Sequence, residues 1–216
     1  MLWDTRTGKT EKTVTTHNGP ATCVAVSSAG TVISGGWDNL VQVSDLRKPT
    51  VSKYSGHTDW VLSAVGVPKS SNFVSCGWDN TVRLWKGETN ASVLAGHVDT
   101  ITSVSVSPNG KLIASGSYDS TVKVWNGSNG KLEMTLAGHT SKVNQVAFTP
   151  NSELLLTASS DHVVKMWNST NGELKNQFVC QSPATAVDVV TRNGELLMVF
   201  GDFIGNLYVT KLHWGF

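Results

Sequence analysis

The pattern of apolar and polar positions is short-range along the whole chain. Segments rich in Val, Ile, Ser and Thr, such as Ile101-Thr102-Ser103-Val104-Ser105-Val106, alternate side-chain character with the period of a strand. Turn-forming pairs interrupt them at regular intervals. Asn109-Gly110 and Asn193-Gly194 fit the first hairpin of their units, and Asn129-Gly130 and Asn171-Gly172 the third. No stretch combines helical periodicity with caps. The pattern predicts an all-β chain of four-stranded antiparallel meanders, each about 40 residues long.

The meanders repeat. His17, His57, His97 and His139 recur at steps of 40, 40 and 42, and Asp38, Asp79, Asp119, Asp161 and Asp202 at steps of 41, 40, 42 and 41. Six residues after three of these aspartates stands a tryptophan: Trp85, Trp125 and Trp167. The spacing divides the chain into repeats 17–56, 57–96, 97–138 and 139–179. Residues 1–16 read as the end of a preceding unit, with Leu2-Trp3 on a third strand and Thr13-Val14-Thr15 on a fourth. Residues 180–216 read as a degenerate last unit of three strands, and the whole of 1–216 as one domain.

Composition narrows the function classes. The 216 residues carry 17 Lys+Arg and 16 Asp+Glu, a formal net charge of +1, with 39% hydrophobic residues. That is apolar material enough for a core. Nucleic-acid and anionic-membrane partners normally need a basic face, so direct contact with either is not expected. No apolar run approaches the roughly 20 residues of a membrane-crossing helix. Cys23, Cys76 and Cys180 are odd in number and widely spread, so neither a disulfide framework nor a zinc site is expected, and the compartment is read as intracellular and cytoplasmic.

The units Gly56-His57…Asp79…Leu84-Trp85, Gly96-His97…Asp119…Val124-Trp125 and Gly138-His139…Asp161…Met166-Trp167 resemble those of the WD-repeat β-propellers, over essentially the whole chain. The resemblance implies four-stranded blades ringed about a channel. About five blades are present, and the family usually closes with about seven, or roughly 280 residues. Either the N-terminal strand completes the last unit and the ring closes at five blades, or, as favoured, the chain is part of a larger ring, with open blade edges through which it would self-associate. The stretch from Leu155 to Asp161 and on through Gly201 to Tyr208 resembles the last blades of the telomerase protein component and related NACHT–WD proteins.

The resemblance further implies a buried hydrogen-bonded tetrad in each regular unit: His57, Ser75, Asp79 and Trp85; His97, Ser115, Asp119 and Trp125; His139, Thr157, Asp161 and Trp167. The first unit has His17, Ser34 and Asp38 but Ser44 in place of Trp. The last has Asp202 and Tyr208, with Cys180 and Met198 at the His and Ser positions. A Ser/His/Asp set also invites a hydrolase reading, but a nucleophilic triad needs one exposed copy with an oxyanion hole, and no G-x-S-x-G elbow is present. Three equivalent copies at blade period point to stability. No catalytic residue, metal ligand or cofactor is expected. Gly8-Lys9-Thr10 lacks the earlier glycine of a phosphate loop, and His162 reads as a solvated turn residue.

Strand parity puts the loop entering each first strand and the turn between second and third strands on one rim. Its exposed positions are the residue before each Asp and those three and five past each His. The candidate partner-binding residues are Trp37, Trp60, Leu62, Trp78, Thr100, Tyr118 and Lys142. Large aromatics at a rim are typical of binding hot spots. The expected function is a non-enzymatic scaffold for protein or peptide partners. The alternatives are the WD sensor portion of a larger NACHT-type or ribonucleoprotein-associated protein, where nucleic acid is reached only through the particle, and, remotely, a propeller hydrolase.

Overall fold

The computed structural model describes residues 2–14, 17–48, 50–87 and 90–212, and every described element is a β-strand. A two-stranded sheet comes first, β1 (Leu2–Trp3) with β2 (Thr10–Lys12). The fourth-strand segment expected at Thr13-Val14-Thr15 instead lies earlier, because Asp4 caps a tight turn through the Arg6 and Thr7 backbone N–H groups and returns the chain at once. Thr15 itself lies outside the described residues.

Four meanders follow. Blade one is β3 (Ala21–Val26), β4 (Thr31–Gly36), β5 (Leu40–Asp45) and β6 (Val51–Ser55). Blade two is β7 (Val61–Gly66), β8 (Phe73–Gly77), β9 (Thr81–Lys86) and β10 (Asn90–Ala95). Blade three is β11 (Ile101–Val106), β12 (Leu112–Ser117), β13 (Val122–Asn126) and β14 (Leu132–Leu136). Blade four is β15 (Val143–Phe148), β16 (Leu154–Ser159), β17 (Val163–Asn168) and β18 (Leu174–Val179). Blade five has three strands, β19 (Ala184–Arg192), β20 (Glu195–Asp202) and β21 (Leu207–Leu212). Within each sheet the strands lie in sequence order and pair antiparallel.

The core lies between blades. First strands stack in the order β3, β7, β11, β15, β19. Val74, Val82 and Leu84 of blade two pack with Ile101, Val104, Ile113 and Trp125 of blade three, and the other junctions are built alike. A sheet buries its faces only against its neighbours, so a single blade has no core of its own.

A repeated device aligns adjacent blades. Every first strand slips register around the position five past the His, or past Cys180 in blade five: Thr22, Leu62, Thr102, Asn144 and Thr185. A bulge of this kind re-aims one side chain, and here it points at the next blade. Thr22 donates to the Val61 carbonyl, Thr102 to that of Val143 at 2.6 Å and Asn144 to that of Ala184 at 2.7 Å. Leu62 has no donor, and the buried Cys76 thiol, 3.5 Å from the Ile101 carbonyl, takes its place. The same burial holds that thiol well above its ordinary pKa, so it stays protonated and able to donate.

The arc is open. Val24 of β3 is 71% exposed, whereas its counterpart Val104 in blade three is 6% exposed because blade two covers it. At the other end Leu207 is 72% exposed, while its counterpart Leu84 is 1% exposed against blade three. Among the described residues β3 and β19 are not packed together, and β1–β2 forms its own sheet rather than completing blade five. Leu84→Ala should therefore cost about 2–5 kcal/mol in chemical denaturation, and Leu207→Ala less than about 0.5 kcal/mol. Equal costs would show that the trailing face is covered in solution.

Candidate functional site

The turn between second and third strands and the loop entering the first strand meet at one end of each blade. In blades one to four the residue after the aspartate takes a left-handed backbone: Asn39 (φ 63°), Asn80 (59°), Ser120 (65°) and His162 (70°). That conformation swings the preceding carboxylate inward. It also accounts for His162, whose backbone N–H donates to the Ser159 carbonyl in the turn while its own carbonyl accepts from the Cys180 N–H at 2.7 Å.

In blade two, His57 Nδ1 lies 2.8 Å from Asp79 Oδ2, His57 Nε2 lies 2.8 Å from Ser75 Oγ, and Trp85 Nε1 donates to Ser75 Oγ at 2.8 Å. The carboxylate only accepts and the indole only donates. The relay therefore runs from indole N–H to hydroxyl, hydroxyl to Nε2, and Nδ1–H to carboxylate. Blade three repeats it with His97, Ser115, Asp119 and Trp125 at 2.7, 2.8 and 2.9 Å. Blade four does so with His139, Thr157, Asp161 and Trp167 at 2.7, 2.7 and 2.9 Å. All twelve expected tetrad residues come together. The same carboxylates accept the backbone N–H of Thr58, Val98 and Thr140, just after each His, so each Asp ties the turn to the entering loop.

The outer blades solve the same problem differently. Blade one keeps His17 2.8 Å from both Asp38 and Ser34, while Ser44 at the Trp position donates to the Val14 carbonyl at 3.4 Å. In blade five Tyr208 reaches Asp202 directly, its phenol donating to Oδ2 at 3.0 Å with Phe200 stacked on its ring at 4.8 Å. Cys180 and Met198 fill the bypassed positions as buried apolar groups.

Burial pushes the His97 and His139 imidazoles below their ordinary pKa, outweighing the aspartates beside them, so both are neutral near pH 7. Burial works to raise Asp79, but hydrogen bonds and the charge interaction with His57, joined by Thr81, prevail and hold it at about 2. Ser75, Ser115 and Thr157 are sealed from solvent, so a substrate has no path to these hydroxyls. The arrangement is one of mutually satisfied, charge-compatible bracing.

Above the tetrads lies the rim. Trp60 stacks face to face on Trp37, with centroids 3.8 Å apart and planes 2° from parallel, and leans on Trp78 at 4.8 Å and 44°. Trp37 and Trp78 remain 44% and 45% exposed. One blade on, the Lys142 ammonium lies 4.7 Å from the Tyr118 ring centroid. Of the seven expected rim residues, Trp37, Trp78 and Tyr118 are exposed, Trp60, Leu62 and Lys142 half-buried and Thr100 buried. Thr100 is buried, its N–H capped by Asp99 and its carbonyl bonded to the Tyr118 N–H, because a short side chain there sinks between its taller neighbours. Leu62 is half-buried at the bulge that faces the next blade. The bulged position is structural, and only the loss of alternation at Thr102-Ser103 hints at it in sequence.

The WD domain, G-beta repeat family matches residues 8–45, 48–86 and 88–126, together more than half of the chain. The chain belongs to the WD-repeat family. A second family, the TEP-1 C-terminal beta-propeller, matches residues 139–214. Human striatin is 33% identical over 92 residues, covering 37% of this WD-repeat chain and 12% of striatin. Human striatin-3 is 36% identical over 84 residues, covering 32% and 10%. A Chlamydomonas reinhardtii ribosome biogenesis protein WDR12 homolog is 30% identical over 87 residues, covering 34% and 20%. The matched regions span about a tenth to a fifth of these relatives.

Two outcomes follow for the tetrads. Asp119→Asn replaces an anionic acceptor inside a buried network and should cost about 1–3 kcal/mol, read by thermal melting. For pH, a lowered folded pKa means that the unfolded chain binds protons first. The histidine share of stability is full above the unfolded value near 6.5 and falls as pH drops below it. The Asp79 share is full above about 4 and is lost towards about 2. The melting temperature should be flat from pH 8 to 7, decline below about 6.5 and fall again below about 4. A flat profile down to pH 5 would contradict the histidine assignment.

Proposed function

We propose that the chain is a protein-interaction module that grips a protein or peptide partner on its aromatic rim. The observation that carries this reading is the Trp37–Trp60–Trp78 stack, which keeps two indoles nearly half exposed on a braced framework. Exposing that much indole without a partner is unfavourable, and Trp is strongly enriched among residues that dominate interface energies. The WD repeats and the striatin and WDR12-homolog relatives support a scaffold role in general terms.

A second reading follows from the TEP-1 C-terminal beta-propeller match over 139–214. In it these blades are the sensor portion of a larger NACHT-type or ribonucleoprotein-associated protein. One relative is named for ribosome biogenesis, a ribonucleoprotein setting. With a net charge of +1 the chain offers little bulk attraction for RNA, so on this reading the contact is with the protein part of a particle.

The test is capture of partners by wild type beside a Trp60→Ala/Trp78→Ala double variant, quantified by mass spectrometry. Specific capture should be lost while the melting temperature drops by less than about 4 °C, equivalent to about 1 kcal/mol. Capture within twofold of wild type would refute the rim.

A further inference from the structure

The rim has an internal order that exposes one gap. In each of the first four blades, the residue before the aspartate donates its backbone N–H to the carbonyl of the residue three past the His. Trp37 bonds Pro20 at 3.0 Å, Trp78 bonds Trp60 at 2.9 Å, Tyr118 bonds Thr100 at 2.9 Å and Ser160 bonds Lys142 at 3.0 Å. These pairs recur blade by blade along the arc, and two of the pre-aspartate residues also meet the equivalent residue of the next blade.

At two junctions the next blade covers the aromatic face. Trp37 is covered by the Trp60 indole in a parallel stack. Tyr118 is covered by the Lys142 ammonium, which also lies 3.5 Å from the phenol oxygen. At the junction between them the equivalent position of the next blade is Thr100, whose short side chain is buried and has no plane or charge to offer. Among the described residues Trp78 has one ring partner, Trp60, and it stays 45% exposed, so part of its ring is open to solvent.

We propose that this open face of Trp78 receives an arginine side chain from a protein or peptide partner. The inference rests on the rim being the partner-binding surface and names what one position on it takes. The groups at the flanking junctions are a planar π-system and a cation. A guanidinium is both: it stacks flat on an indole and is drawn to the ring by its charge. The surrounding charge agrees. The two loops beside Trp78, His57-Thr58-Asp59-Trp60 and His97-Val98-Asp99-Thr100, contain no Lys or Arg, and each carries an aspartate. Asp99 is exposed, and its Oδ1 caps the Thr100 N–H at 2.7 Å, which fixes the carboxylate at the edge of the gap. An anionic guest is repelled there. A lysine satisfies the charge but lacks the plane.

A random-peptide phage library selected on the immobilised chain tests this, with counter-selection on Thr100→Trp. That substitution places at the gap the side chain that already stands at the equivalent position of blade two, and melting checks that the variant folds. Trp78→Ala, which removes the platform instead of filling the gap, is the second variant. The expected result is a set of peptides with arginine at one fixed position. A synthetic peptide from the set should lose at least tenfold in affinity on Arg→Gln, less on Arg→Lys, at least tenfold on either Thr100→Trp or Trp78→Ala, and severalfold on Asp99→Asn. Peptides that lose binding on Trp60→Ala/Trp78→Ala but show no arginine preference overturn the guanidinium and leave the rim reading standing. Peptides indifferent to every rim substitution overturn both. Recovery of no peptide above background overturns the inference.

Discussion

A blade of this kind has two apolar faces and covers neither by itself. The packing of one blade on the next is the constraint from which the other features follow. It places the core at the junctions, where Leu84 and Val82 of one blade meet Ile101 and Trp125 of the next. It makes the first strands the spine of the arc. Each first strand bulges at one position, and in three blades the bulged side chain bonds a carbonyl of the next blade's first strand and so marks the register between blades. Cys76 donating where Leu62 has nothing to donate shows that this register bond is maintained even when the side chain that normally forms it is absent.

Packing faces together does not fix the loops at the blade ends, and there the polar tetrads take over. Each joins four segments distant in sequence: the entering loop through His, the second strand through Ser or Thr, the turn through Asp and the third strand through Trp. Buried polar groups are tolerable only when every member is paired, and each link here has one donor facing one acceptor. The two outer blades show which link is dispensable. Blade one forms its His–Asp and His–Ser bonds without an indole, and blade five omits His and Ser yet still ties Asp202 through Tyr208 and Asn206. The aspartate that closes the turn is the member present in all five.

Much of this was legible in the sequence because it is written in spacing. The 40–42-residue steps of His and Asp, the Trp six past the Asp and the Asn-Gly turns define strand order and network membership. What spacing does not carry is which neighbour covers a side chain. Thr100 and Lys142 occupy equivalent positions, yet one sinks and the other spans to an aromatic ring, a difference set by side-chain length against a shared backbone. Thr22, Leu62 and Thr102 look like rim residues by strand parity, and a single bulge turns them towards the next blade instead. The early return of the N-terminal hairpin depended on Asp4 capping its own turn, a local bond that overrode the analogy with later units.

The same division explains why the rim, rather than the tetrads, is where a specific function is encoded. Within this chain the braced positions hardly vary from blade to blade: Asp stands at all five turns and His at four of the entering loops. The residue immediately before that Asp is tied through its backbone N–H in blades one to four, and its side chain stands outside the tetrad: Trp37 and Trp78 meet Trp60, Tyr118 meets Lys142, and the Ser160 hydroxyl accepts from Asn144 at 3.0 Å. This residue is Trp, Trp, Tyr, Ser and Gly in turn. A position held rigidly by the main chain, with its side chain outside the bracing network, presents a group with less entropy left to lose on binding. The bracing therefore determines where the rim groups stand, and the choice of aromatic at three adjacent blades determines what they can hold.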